Sequence, residues 1–220
     1  MKEQYFSLQG LQKETEEMIL EITSGRLKSN PRKWNADISR SALIVTDMQN
    51  YFLNPDSHAF IPSATSIIPN ILSLADFFHK SNRPVIFTKH TNDHENAACM
   101  SYWWKDMIGN ETPSAKIHEN LRTSGDIILE KHQYDAFYNT RLEEILHNQN
   151  VRFAVICGVM TNMCCETTTR SAFVKGFQPL LPLDATAAYN REFHISTFIN
   201  LSFGFCPLMT TREVIEVLMK

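Results

Sequence analysis

Apolar residues in this chain fall into short runs separated by stretches of helical spacing, and from residue 41 the two kinds alternate. Runs of strand length, rich in β-branched and aromatic side chains, occupy residues 42–46, 84–88, 126–130, 152–157, 177–183 and 206–209. Between them, amphipathic periodicity predicts helices over 63–80, 140–147, 166–175, 192–203 and 211–219. Strands alternating with helices imply parallel pairing through right-handed crossovers. The expected fold is therefore α/β, a single doubly wound three-layer αβα sandwich with a six-stranded parallel sheet. Ahead of it, residues 8–22 set Leu11, Met18, Ile19 and Ile22 on one side of a charged helix, with Gly25 as its stop. Residues 26–40 are polar, contain Pro31 and read as a connector. The chain thus divides into an N-terminal helical arm and connector (1–40), expected to pack on the body or on a second subunit, and one domain (41–220). Residues 90–125 break the rhythm, and a connection of that length reads as a lid or site wall.

One junction stands out. The apolar run 151–157 ends at Gly158, and a helical pattern begins just beyond Cys164 and closes at Gly176. A thiol placed where strand gives way to helix meets free backbone N–H groups and a favourable dipole, which predicts a lowered pKa and a nucleophile. Position alone allows the alternative that Cys164, beside Cys165, is small apolar packing. In an open α/β sheet, ligands bind outside the carboxyl ends of the strands, so functional residues should gather there from distant parts of the sequence. Asp47 ends the first predicted strand, Lys131 ends the third and Cys164 follows the fourth. Separately they could be a turn residue, a solvated cation and core. Together they form a nucleophile with a base and a positive neighbour.

Composition narrows the classes. The 220 residues are 43% hydrophobic and 20% charged, suited to one globular domain with an ample core. A net charge of −3 with scattered Lys and Arg gives no footprint for nucleic acid or an anionic membrane, and neither is expected as a partner. No apolar run approaches a membrane span and no secretory signal is visible at the N-terminus. Five cysteines without a C-x-x-C fit reduced thiols and a cytoplasmic location. Cys165, Cys99, Cys157 and Cys206 read as buried thiols. No Gly-rich turn follows the first strand, against a phosphate-binding module.

The same residues resemble the isochorismatase-like cysteine hydrolase superfamily. Asp47-Met48-Gln49-Asn50 is similar to its first motif, and Lys131-His132-Gln133-Tyr134-Asp135-Ala136-Phe137-Tyr138 to its lysine motif. Gly158-Val159-Met160-Thr161-Asn162-Met163-Cys164 is similar to its glycine-to-cysteine motif, the most specific of the three, and Asp184-Ala185-Thr186 also fits. The resemblance implies Asp47, Lys131 and Cys164 as a catalytic triad. It also implies a cis peptide between Val159 and Met160, with the backbone N–H groups of Met160 and Cys164 as an oxyanion hole. The implied activity is hydrolysis of a C–N bond, amide or ureido, in a small molecule through a Cys thioester. The alternative within the family is vinyl-ether hydrolysis of isochorismate, which proceeds without a covalent intermediate. A catalytically retired scaffold is the third reading, and the intact triad speaks against it. No cofactor is implied, and assembly as a dimer or tetramer is.

Gln49, Phe52, Trp104, Tyr134, Phe137 and Tyr138 are the candidate substrate contacts, because they follow the motifs or lie in the irregular insert. Gln49 is also a candidate for fixing the site backbone, and the aromatic residues for packing around Lys131. Nicotinamidase-like members carry a metal on an Asp-x-His pattern after the second strand. Here His90 stands where that Asp is expected, so His90, Asp93 and His94 read as a polar loop rather than a metal site.

Overall fold

The computed structural model describes residues 1–24, 34–104, 106–121 and 125–220. Helix α1 (Leu11–Ser24) leads to strand β1 (Ser41–Thr46), the short α2 (Asn50–Leu53) and α3 (Ile68–Lys80). Then come β2 (Val85–His90), the one-turn α4 (Met100–Trp103), β3 (Ile127–Lys131), α5 (Leu142–Asn148) and β4 (Phe153–Val159). The chain finishes with α6 (Glu166–Val174), β5 (Gln178–Pro182), β6 (Thr186–Ala187), α7 (Arg191–Gly204), β7 (Leu208–Met209) and α8 (Thr211–Leu218). Among the described residues, no helix is long and apolar enough to cross a membrane.

Every pairing in the sheet is parallel, in the order β3-β2-β1-β4-β5-β7. That gives the six strands expected, plus a seventh the sequence pattern does not signal. The two residues of β6 pair with Gly158 and Val159, beyond the point where β5 leaves β4. Such a short strand is too brief to register as an alternation. β1 and β4 are buried at every position, the mark of central strands covered on both faces. Helix α3 packs on β1 and beside α8, and α6 packs on β5 and beside α7.

The sequence order runs outward from β1 in one direction and outward from β4 in the other. The β1–β4 boundary is thus the switch point, where crevices open at the carboxyl ends of strands. One close approach fixes the register there. Gly158 sits opposite Thr46 with φ +106°, and a Cβ on it would lie 2.2 Å from the Thr46 carbonyl oxygen. Only glycine fits that position. Gly176 has φ +88° and ends α6 as the left-handed cap its position predicts.

The N-terminal arm joins the body rather than standing apart. Tyr5, Phe6, Met18 and Ile22 belong to the same buried cluster as the sheet residues. The Tyr5 and Phe6 amides donate to Ser63 Oγ at 2.9 and 3.1 Å, and α1 lies against α7. The predicted stop at Gly25 and most of the connector lie outside the described residues. Of the thiols, Cys157, Cys165 and Cys206 are buried as expected, whereas Cys99 is exposed, because it precedes α4 on the outer side of the irregular insert.

Candidate active site

The three rim residues meet. Lys131 Nζ lies 2.8 Å from Asp47 Oδ2 and 3.4 Å from Cys164 Sγ. Lys131 and Asp47 are 0% exposed and Cys164 is 6% exposed. β1 and β3 deliver the first two from strand ends. Asp47 adopts φ +48°, an uncommon backbone state for a non-glycine residue and one that occurs at functional turns. Thr88 secures that turn from β2: its hydroxyl donates to Asp47 Oδ1 at 2.5 Å and accepts the Asp47 amide at 3.1 Å.

Cys164 stands in a π-helical turn, Thr161–Cys165, that precedes α6, where the sequence suggested a plain turn. The peptide between Val159 and Met160 is cis. The turn is anchored at both ends. Thr161 Oγ1 lies 2.9 Å from Nδ1 of the buried His194, an imidazole that burial pushes down to a pKa of about 3 and so keeps neutral. Cys165 Sγ lies 2.9 Å from Thr46 Oγ1, which faces it toward the sheet and leaves Cys164 to the cavity.

Charge in this cluster differs from the sequence expectation. Cys164 sits well above the ordinary thiol range, because burial and the Asp47 carboxylate both penalise a thiolate and outweigh the help from Lys131. Asp47 sits below the usual carboxylate range: burial would raise it, but the Lys131 ammonium, with His90 and the Cys164 thiol, prevails. Lys131 is raised for the reciprocal reason, despite its own burial. The resting site is therefore an ion pair with a neutral thiol, not a thiolate. A dipole at a helix start is a weak field compared with a full carboxylate charge buried in the same cluster.

His90 completes the shell. Its Nδ1 lies 3.4 Å from Lys131 Nζ and its Nε2 2.6 Å from Asn92 Oδ1. Burial and the neighbouring ammonium lower its pKa to about 4. A neutral ring protonated on Nε2 satisfies both contacts. A metal site of the nicotinamidase kind does not fit here. Both His90 nitrogens face these partners, while Asp93 and His94 are exposed and Asp93 Oδ1 accepts the amides of Glu95 and Asn96. Among the described residues no group of three metal-type ligands assembles.

A cavity of about 300 Å³ opens over Cys164. Of the six candidate contacts, Phe52, Trp104 and Tyr134 line it, and Trp104 Nε1 donates to the Tyr134 hydroxyl at 2.7 Å. The other three do not. Gln49 is a backbone clamp: its Nε2 donates to the carbonyls of His90 and Ala115, both at 2.9 Å, and its Oε1 accepts the His90 amide at 2.8 Å. Both amide hydrogens are thus used, and the fully buried side chain does not reach the cavity. Phe137 stacks on Phe177 at 5.8 Å under the surface, and Tyr138, 56% exposed, faces solvent. A motif supplies proximity along the chain, but the turn after β3 rotates these two rings away. The paired tryptophans also split, with Trp103 79% exposed. Sequence reasoning missed Tyr51, Asp106, Tyr189 and Lys2, which also line the cavity. Only Tyr51, beside Phe52, carried any local signal.

Comparison with known proteins bears on the family and the fold. The family model described as the isochorismatase domain matches residues 41–213. Nicotinamidase 3 of Arabidopsis thaliana is 37% identical over 192 residues, covering 85% of this chain and 93% of that protein. The isochorismatase of Bacillus subtilis is 26% identical over 175 residues, covering 78% of this chain and 56% of that one. Among solved structures, a cysteine hydrolase from Pseudomonas syringae superposes with a TM-score of 0.81 at 25% identity, covering 85% of this chain and 96% of its own.

Proposed function

The chain belongs to the isochorismatase family of hydrolases, and from that premise we propose that it cleaves a C–N bond, amide or ureido, of a small molecule through a thioester on Cys164. The observation that carries this reading is a buried carboxylate–ammonium pair whose ammonium contacts a thiol that opens on a cavity.

The chemistry follows from the charge state. As Cys164 Sγ bonds to the substrate carbonyl carbon, its proton passes to Asp47, the carboxylate that Lys131 holds ionised. The carbonyl electron pair moves to oxygen, where the backbone N–H groups of Met160 and Cys164 are the proposed donors. Collapse breaks the C–N bond, and Asp47 returns the proton to the departing nitrogen. Water then attacks the thioester, giving its proton to Asp47, and the thiol is regenerated as the acid leaves. Lys131 keeps Asp47 ionised between these steps and balances charge while the thiolate is transiently formed.

The vinyl-ether reading draws support from the B. subtilis relative, which is named an isochorismatase. That chemistry needs an acid that protonates carbon or oxygen, and a carboxylate held ionised by Lys131 is poorly disposed to be one. A panel of carboxamides including nicotinamide, ureido acids and isochorismate, assayed for ammonia and pyruvate, separates the two. Ammonia release that disappears in Cys164→Ala with an unchanged circular-dichroism spectrum is the expected result. Pyruvate release, or turnover that survives the substitution, contradicts it.

A further inference from the structure

The N-terminal arm reaches the cavity over Cys164. Lys2 lines it, donating from Nζ to the carbonyl oxygen of His58 and lying 4.5 Å above the Tyr189 ring. The backbone that carries it is held on both sides. The Glu3 amide donates to the Tyr189 carbonyl at 2.9 Å, Glu3 Oε1 accepts the Arg191 amide at 2.6 Å, and Asn190 Nδ2 donates to the Met1 carbonyl at 3.3 Å. An ordinary surface lysine keeps its rotamer freedom, and losing that freedom on binding opposes the contact. Here that ordering is part of the fold.

Lys2 has no charge partner. Among the described residues, which include every Asp and Glu of the chain, no carboxylate lies within 4.0 Å of its Nζ. The one carboxylate on the cavity lining, Asp106, is engaged elsewhere: it accepts from the Tyr51 hydroxyl at 2.5 Å and lies 3.4 Å from His58 Nε2. The rest of the lining is dominated by aromatic and methionine side chains such as Phe52, Trp104, Tyr134 and Met163. An unpaired ammonium fixed beside an apolar slot is complementary to a ligand with a flat or apolar body and one anionic end.

We propose that Lys2 is a specificity-determining residue that binds an anionic group, a carboxylate in the first instance, at the far end of the substrate whose scissile carbonyl meets Cys164. This rests on the hydrolase reading above for the position of the carbonyl, but the anion contact stands on Lys2 alone. The substrate class is then a monoamide or ureido compound carrying a separate carboxylate, rather than a neutral amide.

The test uses pairs matched in shape, such as 4-carbamoylbenzoate against 4-methylbenzamide and succinamate against butyramide, with the full chain, Lys2→Met and Lys2→Arg. In the unaltered protein kcat/KM is expected to be about tenfold or more higher for the carboxylate member, the worth of one charge-assisted hydrogen bond. Lys2→Met should remove most of that ratio through KM, and Lys2→Arg should restore it. A second arm measures calorimetric binding of terephthalate, which has no bond to cleave, to Cys164→Ala with and without Lys2→Met. Binding weakened about tenfold by Lys2→Met is expected. A neutral member that is preferred, a ratio that survives Lys2→Met, or terephthalate binding that is absent or indifferent to Lys2 overturns the proposal. Turnover confined to neutral amides would leave the hydrolase reading standing while this inference falls. Lys2-dependent terephthalate binding with no amide turned over would do the reverse.

Discussion

The ammonium of Lys131 faces the carboxylate of Asp47 at 2.8 Å in a place from which solvent is excluded on both sides. Two charges buried like this are tolerable only together, so removing one leaves the other stranded. Lys131→Met is expected to cost about 3–5 kcal/mol of stability at neutral pH. The pH dependence has a definite sign. In the unaltered protein the depressed Asp47 contributes stability above its unfolded value near about 3.9, lost as pH falls through the lower folded value. In Lys131→Met the largest influence opposing burial is gone, and Asp47 rises above that unfolded value. The deficit of the variant should therefore shrink as pH falls toward about 4. Urea melts at pH 7 and pH 4 measure both.

A neutral resting thiol has its own consequence. Iodoacetamide at pH 7, followed by peptide mapping, should label the exposed Cys99 well before Cys164, although Cys164 opens on the cavity. Labelling of Cys164 should not plateau near neutrality, as it would for a thiolate of low pKa. A Cys164 that reacts fastest at pH 6 would overturn the charge assignment.

Thr88 tunes the base. Its hydroxyl donates to Asp47 Oδ1, and Thr88→Val removes that donor while keeping the shape. Losing a hydrogen bond to the charged form raises a carboxylate pKa. The acid limb of kcat/KM should move to higher pH in Thr88→Val, with the plateau lowered modestly. An unmoved limb would mean that Asp47 is not the group it reports.

Gly158 has no room for a side chain. Gly158→Ala combines φ +106° with a Cβ 2.2 Å from the Thr46 carbonyl oxygen, and Thr46 leads directly into Asp47. Strain of about 1–3 kcal/mol from the backbone conformation alone is expected, before the clash is added. A thermal melt shows the loss, and activity should fall with it because the β1–β4 register positions both Asp47 and Cys164.

How much of this was legible in the sequence depends on the range of the interaction. The parallel alternation of strands and helices and the meeting of Asp47, Lys131 and Cys164 follow from local periodicity plus the rule that strand ends share a rim, so they could be read. The charge state of Cys164 could not, because it depends on how closely Asp47 approaches and how completely water is excluded. The cavity walls divide the same way. Phe52 lies just after its motif and points inward, whereas Phe137 and Tyr138 do not, since the turn after β3 sets their direction. Lys2 carried no signal, because a lone lysine acquires meaning only when Tyr189, Asn190 and Arg191 hold the residues on either side of it in place.

The proposed catalysis turns on a covalent bond to one sulphur atom. The most direct measurement is intact-protein mass spectrometry after acid quench during turnover of an amide substrate, with peptide mapping of the adduct. The expected result is an acyl mass on Cys164, appearing together with released ammonia and absent from Cys164→Ala. Turnover at full rate with no adduct on Cys164 at any quench time, or an adduct that forms on another residue, would contradict it.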